Sequence, residues 1–428
     1  MSGQPVCTEK TKAAIEAVCA LADVKKALQL AKDEHPRRVK EQIALTETAS
    51  APFGEEKRAQ LFARMLEDCG VPNVARDAIG NVIGRIKGKA GGPVLVLAAH
   101  LDTVFAEGTD TRVRQEGTIY HAPGISDDAA GLACVLQTAR CLVSIREKLL
   151  GDVVVVGTLG EEGNGDLRGV KALFAAPNDY NGMIAVDGAS VGRILKGSVG
   201  CKRYRVIFES LGGHSLHKFG IVVSSIHALA RAITKVNSLQ VPTNPLCTFN
   251  FGVIKGGTSV NAIASCAEAE LDIRSYDQPS LQAFIERVMQ CIKSAVDDEN
   301  NRWGASEENR VRLTIEQIGD RPAGLNADDA SVIQAAFGAQ QKLGIPLEKY
   351  SFGATDQNIA LFYGLPATTL GAGGAEANNH SLSEWWDETE AWLGPQLAFL
   401  TAAALVGVEG ASQPLLEKKF CRKLEQPL

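Results

Sequence analysis

Short apolar runs alternate with amphipathic segments through the first half of the chain. Residues 94–99, 153–159 and 182–186 are dominated by apolar side chains, and each run is too short for a typical helix. Such runs predict strands of a parallel sheet that is buried on both faces. Residues 10–69 and 129–142 instead suggest helices, because their apolar side chains recur at helical spacing.

The pattern changes after about residue 197. Four segments have the pattern of strands and two that of helices, in the order β-α-β-β-α-β of a ferredoxin-like sandwich: 201–209, 221–236, 248–254, 268–273, 280–297 and 311–318. Patterns of the first kind return at 327–343 and 367–370. The sequence therefore predicts an α/β domain, a mixed sheet with helices on both faces, formed by 1–197 and 321–428. An inserted α+β ferredoxin-like domain occupies 198–320.

Composition narrows the functional classes. A net charge of -6 argues against a nucleic acid partner, which requires clustered Lys and Arg. No apolar run approaches the ~20 residues that cross a bilayer, so we expect no membrane partner, and residues 1–9 lack the pattern of a secretory signal. Ten cysteines without a CxxC pair indicate reduced thiols and a cytoplasmic location. Any metal should therefore be bound by His, Asp and Glu.

The junction of the run 94–99 with His100-Leu101-Asp102 is the first candidate site. Ligands gather at the carboxyl ends of strands in open α/β sheets, so His100 is placed to bind a metal. Asp102 could then orient the imidazole of His100 from its far side. The alternative is a strand-end histidine followed by a turn-forming aspartate.

Two acidic pairs follow. Asp127-Asp128 precedes the predicted helix 129–142, where helix capping is the alternative interpretation, although capping requires only one carboxylate. Glu161-Glu162 follows the strand 153–159, and paired glutamates there have little structural use. One of them could bind a metal while the other accepts a proton from water.

Asp187 ends a third apolar run, and His380 lies in a glycine-rich loop after a fourth. Each has an ordinary interpretation in isolation, as a turn residue and a solvated histidine. Together with the acidic pairs and His100, they form a set of oxygen and nitrogen donors that suits paired zinc, cobalt or manganese. Two such ions can clamp a carbonyl oxygen and a hydroxide.

These motifs resemble, in order over roughly residues 94–387, those of the co-catalytic zinc peptidases and deacylases. That family includes peptidase T, carboxypeptidase G, succinyl-diaminopimelate desuccinylase and acetylornithine deacetylase, and the chain looks closest to peptidase T-like members. One departure is Ala129, where the family has lysine. The resemblance implies a dizinc catalytic domain at 1–197 and 321–428, and a lid and dimerisation domain at 198–320.

The resemblance also implies individual roles. His100 and Asp187 would bind one metal, Glu162 and His380 the other, and Asp127 both. Glu161 would be the general base. Asp102, counted with the catalytic residues, would orient His100 and tune the site rather than carry the proton.

In the inserted domain, Gly212-Gly213-His214-Ser215 resembles the motif whose histidine stabilises the oxyanion in the partner subunit's site. A turn histidine is the alternative. The resemblance further implies a homodimer, and substrate contacts for Asn261, Arg274 and Gly373. For Arg274, a salt bridge within the sheet is an equal alternative.

The reaction is the least determined property. Aspartate at position 187 is typical of the peptidase-type members, which predicts a dizinc exopeptidase that releases the N-terminal residue of short peptides. The alternative is an N-acyl-amino-acid deacylase or carboxypeptidase that uses the same site. A non-catalytic dimeric homologue is disfavoured, because Glu161 is present with all five candidate ligands.

Overall fold

The N-terminal part of the chain is helical, as its apolar spacing predicts. Its helices are α1 (Glu9–Ala20), α2 (Ala22–Asp33), α3 (His35–Glu47) and α4 (Glu56–Asp68). The structure, a computed structural model, describes residues 4–89 and 91–418. Cys421 lies outside these residues, and the nine described cysteines are free thiols.

The chain divides into two compact units, and Val199–Gly324 forms the second. The first contains the residues up to Ser198 and those from Leu325 onward. After α4, the first unit continues with β1 (Ala75–Arg76), β2 (Val82–Ile86), β3 (Val94–His100), β4 (Arg114–Glu116), β5 (Ile119–His121), α5 (Ala129–Ser144), β6 (Asp152–Thr158), α6 (Arg168–Ala175), β7 (Gly182–Val186) and β8 (Arg193–Ser198).

The second unit is an antiparallel sheet with two helices. Its elements are β9 (Gly200–Glu209), β10 (Gly213–His214), α7 (Ser225–Asn237), β11 (Cys247–Gly256), β12 (Ala262–Ile263), β13 (Cys266–Ser275), α8 (Gln278–Arg302) and β14 (Arg312–Arg321). The strand order β11-β13-β9-β14 and the shared core of α7 and α8 against this sheet confirm the predicted ferredoxin-like sandwich. Helix α7 begins later than predicted, because the Ser224 hydroxyl caps it by accepting from the N–H of His227.

The chain then completes the first unit. The remaining elements are β15 (Gly324–Leu325), α9 (Ser331–Leu343), β16 (Lys349–Gly353), α10 (Gln357–Phe362), β17 (Ala367–Leu370), β18 (Ala375–Ala377), β19 (Trp385–Asp387) and α11 (Leu393–Val406). No helix of the described residues is long and apolar enough to cross a membrane.

The main sheet of the first unit has the order β1-β2-β6-β3-β7-β17-β8-β15, with β16 also paired to β8. Strands β6, β3, β7 and β17 are parallel neighbours, whereas β2 and β8 join them in antiparallel pairs. Alternate residues of β3 enter two separate apolar cores, with Leu95 and Leu97 in one and Val94 and Val96 in the other. The predicted mixed sheet with helices on both faces is therefore confirmed.

A small antiparallel sheet, β18-β19-β5-β4, was not predicted. Its strands have only three residues each, too few for a periodic pattern. One cross-strand row runs through all four strands: Ala377, Trp385, His121 and Arg114. The turn between β18 and β19 contains His380, and the chain that leaves β5 leads to Asp127.

Candidate active site

The candidate ligands of the first unit converge at one edge of the main sheet. His100 is the last residue of β3, Glu161 and Glu162 follow β6, and Asp187 follows β7. These three strands are parallel neighbours, so their carboxyl ends lie together. Asp127 joins them from the loop before α5.

The Asp127 carboxylate lies between two imidazoles. Its Oδ1 is 2.9 Å from Nε2 of His100, and its Oδ2 is 3.1 Å from Nε2 of His380. The same nitrogen of His380 is 2.8 Å from Oε1 of Glu162. Asp127 is thus the side chain that connects the two histidines.

Three groups of side chains have potential ligand atoms within 4.8 Å of one another. They are His100 with Glu161 and Glu162, His100 with Asp128 and Asp187, and Asp127 with Glu162 and His380. The structure thus brings together all five predicted ligands and the predicted base. Asp128, which was not among the predicted ligands, is an additional member.

The electrostatic environment of these residues favours positive charge. Hydrogen bonds to Asp127 and Glu162 raise the pKa of His380 to about 10. Burial lowers the pKa of His100, but Asp128, Asp102 and Asp127 outweigh burial and hold this pKa well above its ordinary value. Carboxylates that favour a cation so strongly, with imidazole nitrogens beside them, fit a site for divalent metal ions.

Asp102 contacts the neighbouring strand end more closely than it contacts His100. Its two carboxylate oxygens accept the backbone N–H groups of Glu161, at 2.8 Å, and of Glu162, at 2.9 Å. Nδ1 of His100 lies 3.0 Å from the carbonyl oxygen of Asp102 but 3.7 Å from its carboxylate. The backbone of Asp102 therefore orients the imidazole, while its side chain holds the glutamate pair.

The capping interpretation holds for Asp128. One of its oxygens accepts from the N–H of Gly131 in the first turn of α5, and the other from the N–H of His100, both at 3.1 Å. Asp127 has no part in this cap, so its carboxylate is free to face the histidines. Burial raises the pKa of Asp128 well above its ordinary value.

Glu384 supports the loop that carries Asp127. Its buried carboxylate accepts the backbone N–H groups of Gly124, Ser126 and Asp127 at 2.9–3.0 Å, and burial raises its pKa to about 7. Nothing in the surrounding sequence signals this role, because Glu384 is 257 residues from Asp127.

The N-terminal helices also donate hydrogen bonds to the site loops. Nη1 of Arg58 donates to the carbonyl of Leu101 at 3.1 Å, and its Nε donates to that of Thr48 at 2.9 Å. Gln42 donates to the carbonyl of Ile125 at 2.8 Å. Both donors are 1% exposed, so the ligand loops rest on a buried polar layer.

Gly373 lies in the loop between β17 and β18 with a φ of 99°. A Cβ at this position would lie 2.0 Å from the carbonyl oxygen of Ala391, so only glycine fits. Its N–H donates to Ala189, and its carbonyl accepts from Nε1 of Trp386. These contacts account for the glycine structurally, and its contact with substrate stays a prediction.

The other predicted residues belong to the second unit. His214 pairs with Ala262 in a short two-stranded ladder, next to Asn261. The Asn261 side chain accepts from the Ser259 hydroxyl at 2.7 Å. Arg274 donates to both carboxylate oxygens of Asp272, at 2.7 and 3.2 Å, which favours the salt-bridge interpretation.

Comparison with known proteins gives the family. The sequence matches the model of peptidase family M20/M25/M40 over residues 96–405. The chain belongs to this family. It is therefore a hydrolase of the class that acts on amide bonds, and the predicted resemblance is confirmed.

The individual proteins to which this chain is similar have low sequence identity to it. Carboxypeptidase G2 from Pseudomonas sp. (strain RS-16) is 27% identical over 359 residues, which cover 79% of this chain and 82% of that protein. The structure is similar to that of aminopeptidase PepT from Bacillus cereus ATCC 10987, with a TM-score of 0.69 and 21% identity, over 86% of this chain and 97% of that one. It is also similar to Bacillus subtilis YXEP, described as a dinuclear metal binding peptidase from the M20 family, with a TM-score of 0.65 and 20% identity, over 88% and 99% of the two chains.

A substitution of Arg58 tests how much the buried polar layer contributes to stability and to metal content. The variant Arg58→Met removes the donors to the buried carbonyl of Leu101 and to the half-buried carbonyl of Thr48. We expect the free energy of unfolding in urea to fall by about 2–4 kcal/mol, with a lower metal content. Arg64→Met, at an exposed position of the same helix, is the control and should change stability by less than about 0.5 kcal/mol. Equal effects of the two substitutions would contradict the assignment.

Proposed function

We propose that the chain is a two-metal exopeptidase that acts on short peptides and releases the N-terminal residue. The observation that carries this proposal is the Asp127 carboxylate between the imidazoles of His100 and His380, with Glu161 among the neighbouring donors. The aspartate at position 187 and the likeness to the fold of aminopeptidase PepT support a peptidase.

In this proposal His100 and Asp187 would hold one ion, Glu162 and His380 would hold the other, and Asp127 would be a ligand of both. The mixture of carboxylate oxygens and imidazole nitrogens suits zinc best, with cobalt or manganese as substitutes. Such a pair of ions supplies Lewis-acid polarisation of the scissile carbonyl and makes water more acidic.

Glu161 is the proposed general base. Glu161 is only 5% exposed, and its backbone N–H donates to the carboxylate of Asp102. Its carboxylate takes a proton from the attacking water and gives it to the departing amine. Asp102 contributes by fixing the position of the glutamate pair relative to His100.

The second unit is proposed to be the lid and dimerisation domain of a homodimer. Nδ1 of His214 accepts from the N–H of Leu216 at 3.2 Å, so neutral His214 carries its proton on Nε2. That N–H can donate to the oxyanion of the tetrahedral intermediate in the partner subunit's site. Asn261, Arg274 and Gly373 are the proposed substrate contacts.

A second candidate function is the hydrolysis of N-acyl amino acids, or of the peptide bond that precedes the C-terminal residue of a peptide. The match to carboxypeptidase G2 over most of both chains supports this alternative. The same candidate ligands and base would serve it, because both reactions hydrolyse an amide.

A substrate panel distinguishes the two functions. The full chain, loaded with zinc, cobalt or manganese, is assayed on tripeptides, dipeptides and N-acyl amino acids. We expect tripeptides to give the highest kcat/KM, with the free N-terminal amino acid as product, identified by chromatography. Cleavage of N-acyl amino acids alone would contradict the exopeptidase proposal.

The roles of base and ligand can be separated by two variants. Glu161→Ala should lower kcat by at least about 100-fold while the metal content stays near that of the wild type. His380→Ala should lower the metal content itself, because it removes an imidazole ligand. Activity is followed by peptide cleavage and metal by atomic emission. Retention of most activity in Glu161→Ala would refute the assignment of the base.

A mixed dimer tests whether His214 acts on the partner's site. Each of the variants His214→Ala and Glu161→Ala should be nearly inactive as a homodimer. A hybrid dimer of the two contains one site with both groups intact if His214 acts in trans, and should recover up to half of the wild-type activity. Recovery is measured after co-expression with two affinity tags, and its absence would mean that His214 acts within its own subunit or not at all.

A further inference from the structure

A cavity of about 730 Å³ lies in the first unit, beside the segments that carry Asp127 and His380. Its lining includes Arg112, Arg114, Pro123 and Leu382. Pro123 is four residues before Asp127, and Leu382 is two residues after His380. The volume is within the range of small-molecule sites, so the cavity can receive part of a substrate.

The register of the small sheet places Arg114 at the end from which the segments with Asp127 and His380 leave the sheet. Arg114 pairs with His121, His121 with Trp385, and Trp385 with Ala377. The turn with His380 extends from this end of β18 and β19, and the chain to Asp127 leaves β5 at the same end. Arg114 is two strands from Trp385, so the backbones of these two residues are about 10 Å apart across the sheet.

Among the described residues, the lining of the cavity includes one arginine whose side chain is in no salt bridge. Arg112 donates to both carboxylate oxygens of Asp110, at 2.9 and 2.7 Å. The side chain of Arg114 is exposed and forms no hydrogen bond or salt bridge within the described residues, although its charge helps Arg112 to lower the pKa of Asp110. An arginine fork is well suited to a carboxylate, which it binds with two parallel hydrogen bonds.

The surroundings of Arg114 add selectivity to this charge. Ala122, Pro123 and the 72% exposed Leu382 give the cavity an apolar wall. His121 also lines it, with its Nε2 at 3.9 Å from Glu116, beyond hydrogen-bonding distance. A ligand group with an aliphatic stem and a terminal carboxylate matches this combination.

We propose that Arg114 binds a carboxylate of the substrate in this cavity. This subsite rests on the proposed function and adds a specificity to it. The carboxylate belongs to an Asp or Glu side chain, or to the C-terminus of a short peptide.

The test compares four peptides: Ala-Ala-Glu and Ala-Ala-Gln, each with a free or an amidated C-terminus. In the metal-loaded full chain, Arg114→Gln should lower kcat/KM about tenfold, through KM, for the peptides whose carboxylate it binds. Ala-Ala-Gln amide, which has no carboxylate, should change less than twofold. Arg114→Lys should recover part of the loss, and Arg64→Gln, at an exposed position of α4, should behave as the wild type.

The peptides identify the source of the carboxylate. A loss on Ala-Ala-Glu amide assigns the subsite to the side chain, and a loss on free Ala-Ala-Gln assigns it to the C-terminus. Equal losses on all four peptides, or no loss on any, would overturn the proposal.

Binding separates this proposal from the proposed function. If the wild type cleaves none of the peptides, the exopeptidase proposal fails, and calorimetry of the same four peptides still tests the subsite. Weaker binding of the carboxylate-bearing peptides alone by Arg114→Gln supports the subsite, and unchanged binding refutes it.

Discussion

The cost of burying several carboxylates side by side is the constraint on which the candidate site of the first unit depends. Asp102, Asp127, Asp128, Glu161 and Glu162 converge at one sheet edge, largely removed from water. Each such charge is costly to bury unless it is paired or hydrogen-bonded. The structure meets this requirement with backbone N–H groups for Asp102 and Asp128, and with imidazoles for Asp127 and Glu162.

The same hydrogen bonds link the chemistry of the site to the register of the sheet. His100 pairs with Thr158 at the ends of β3 and β6, and Asp102 then reaches the N–H groups of Glu161 and Glu162. A slip between these two strands would separate the candidate base from the carboxylate that fixes it. The apolar residues of β3, which enter two cores, therefore also determine the geometry of the ligands.

The candidate ligands could be predicted from the sequence, but the residues that support them could not. His100, Glu161 and Asp187 each follow a short apolar run, and parallel strands deliver such residues to a common edge. Arg58 and Glu384 have no such signal, because they contact loops 43 and 257 residues away. Arg114 lies in a strand of three residues, so its placement depends on a register that no local pattern encodes. The family motifs supplied the roles that the pattern alone left open.

The second unit leaves and rejoins the first through neighbouring strands. Ser198 ends β8, Gly324 begins β15, and these strands are adjacent in the main sheet. The N–H of Asn326 donates to the carbonyl of Lys196 at 3.1 Å, so the two chain crossings are bonded to each other. Both ends of the insertion are therefore fixed at adjacent strands of the main sheet. The length and sequence of such an insertion can differ between relatives without moving β3, β6 or β7. The sequence of the insertion can thus change while the strand ends that present the candidate ligands stay in place.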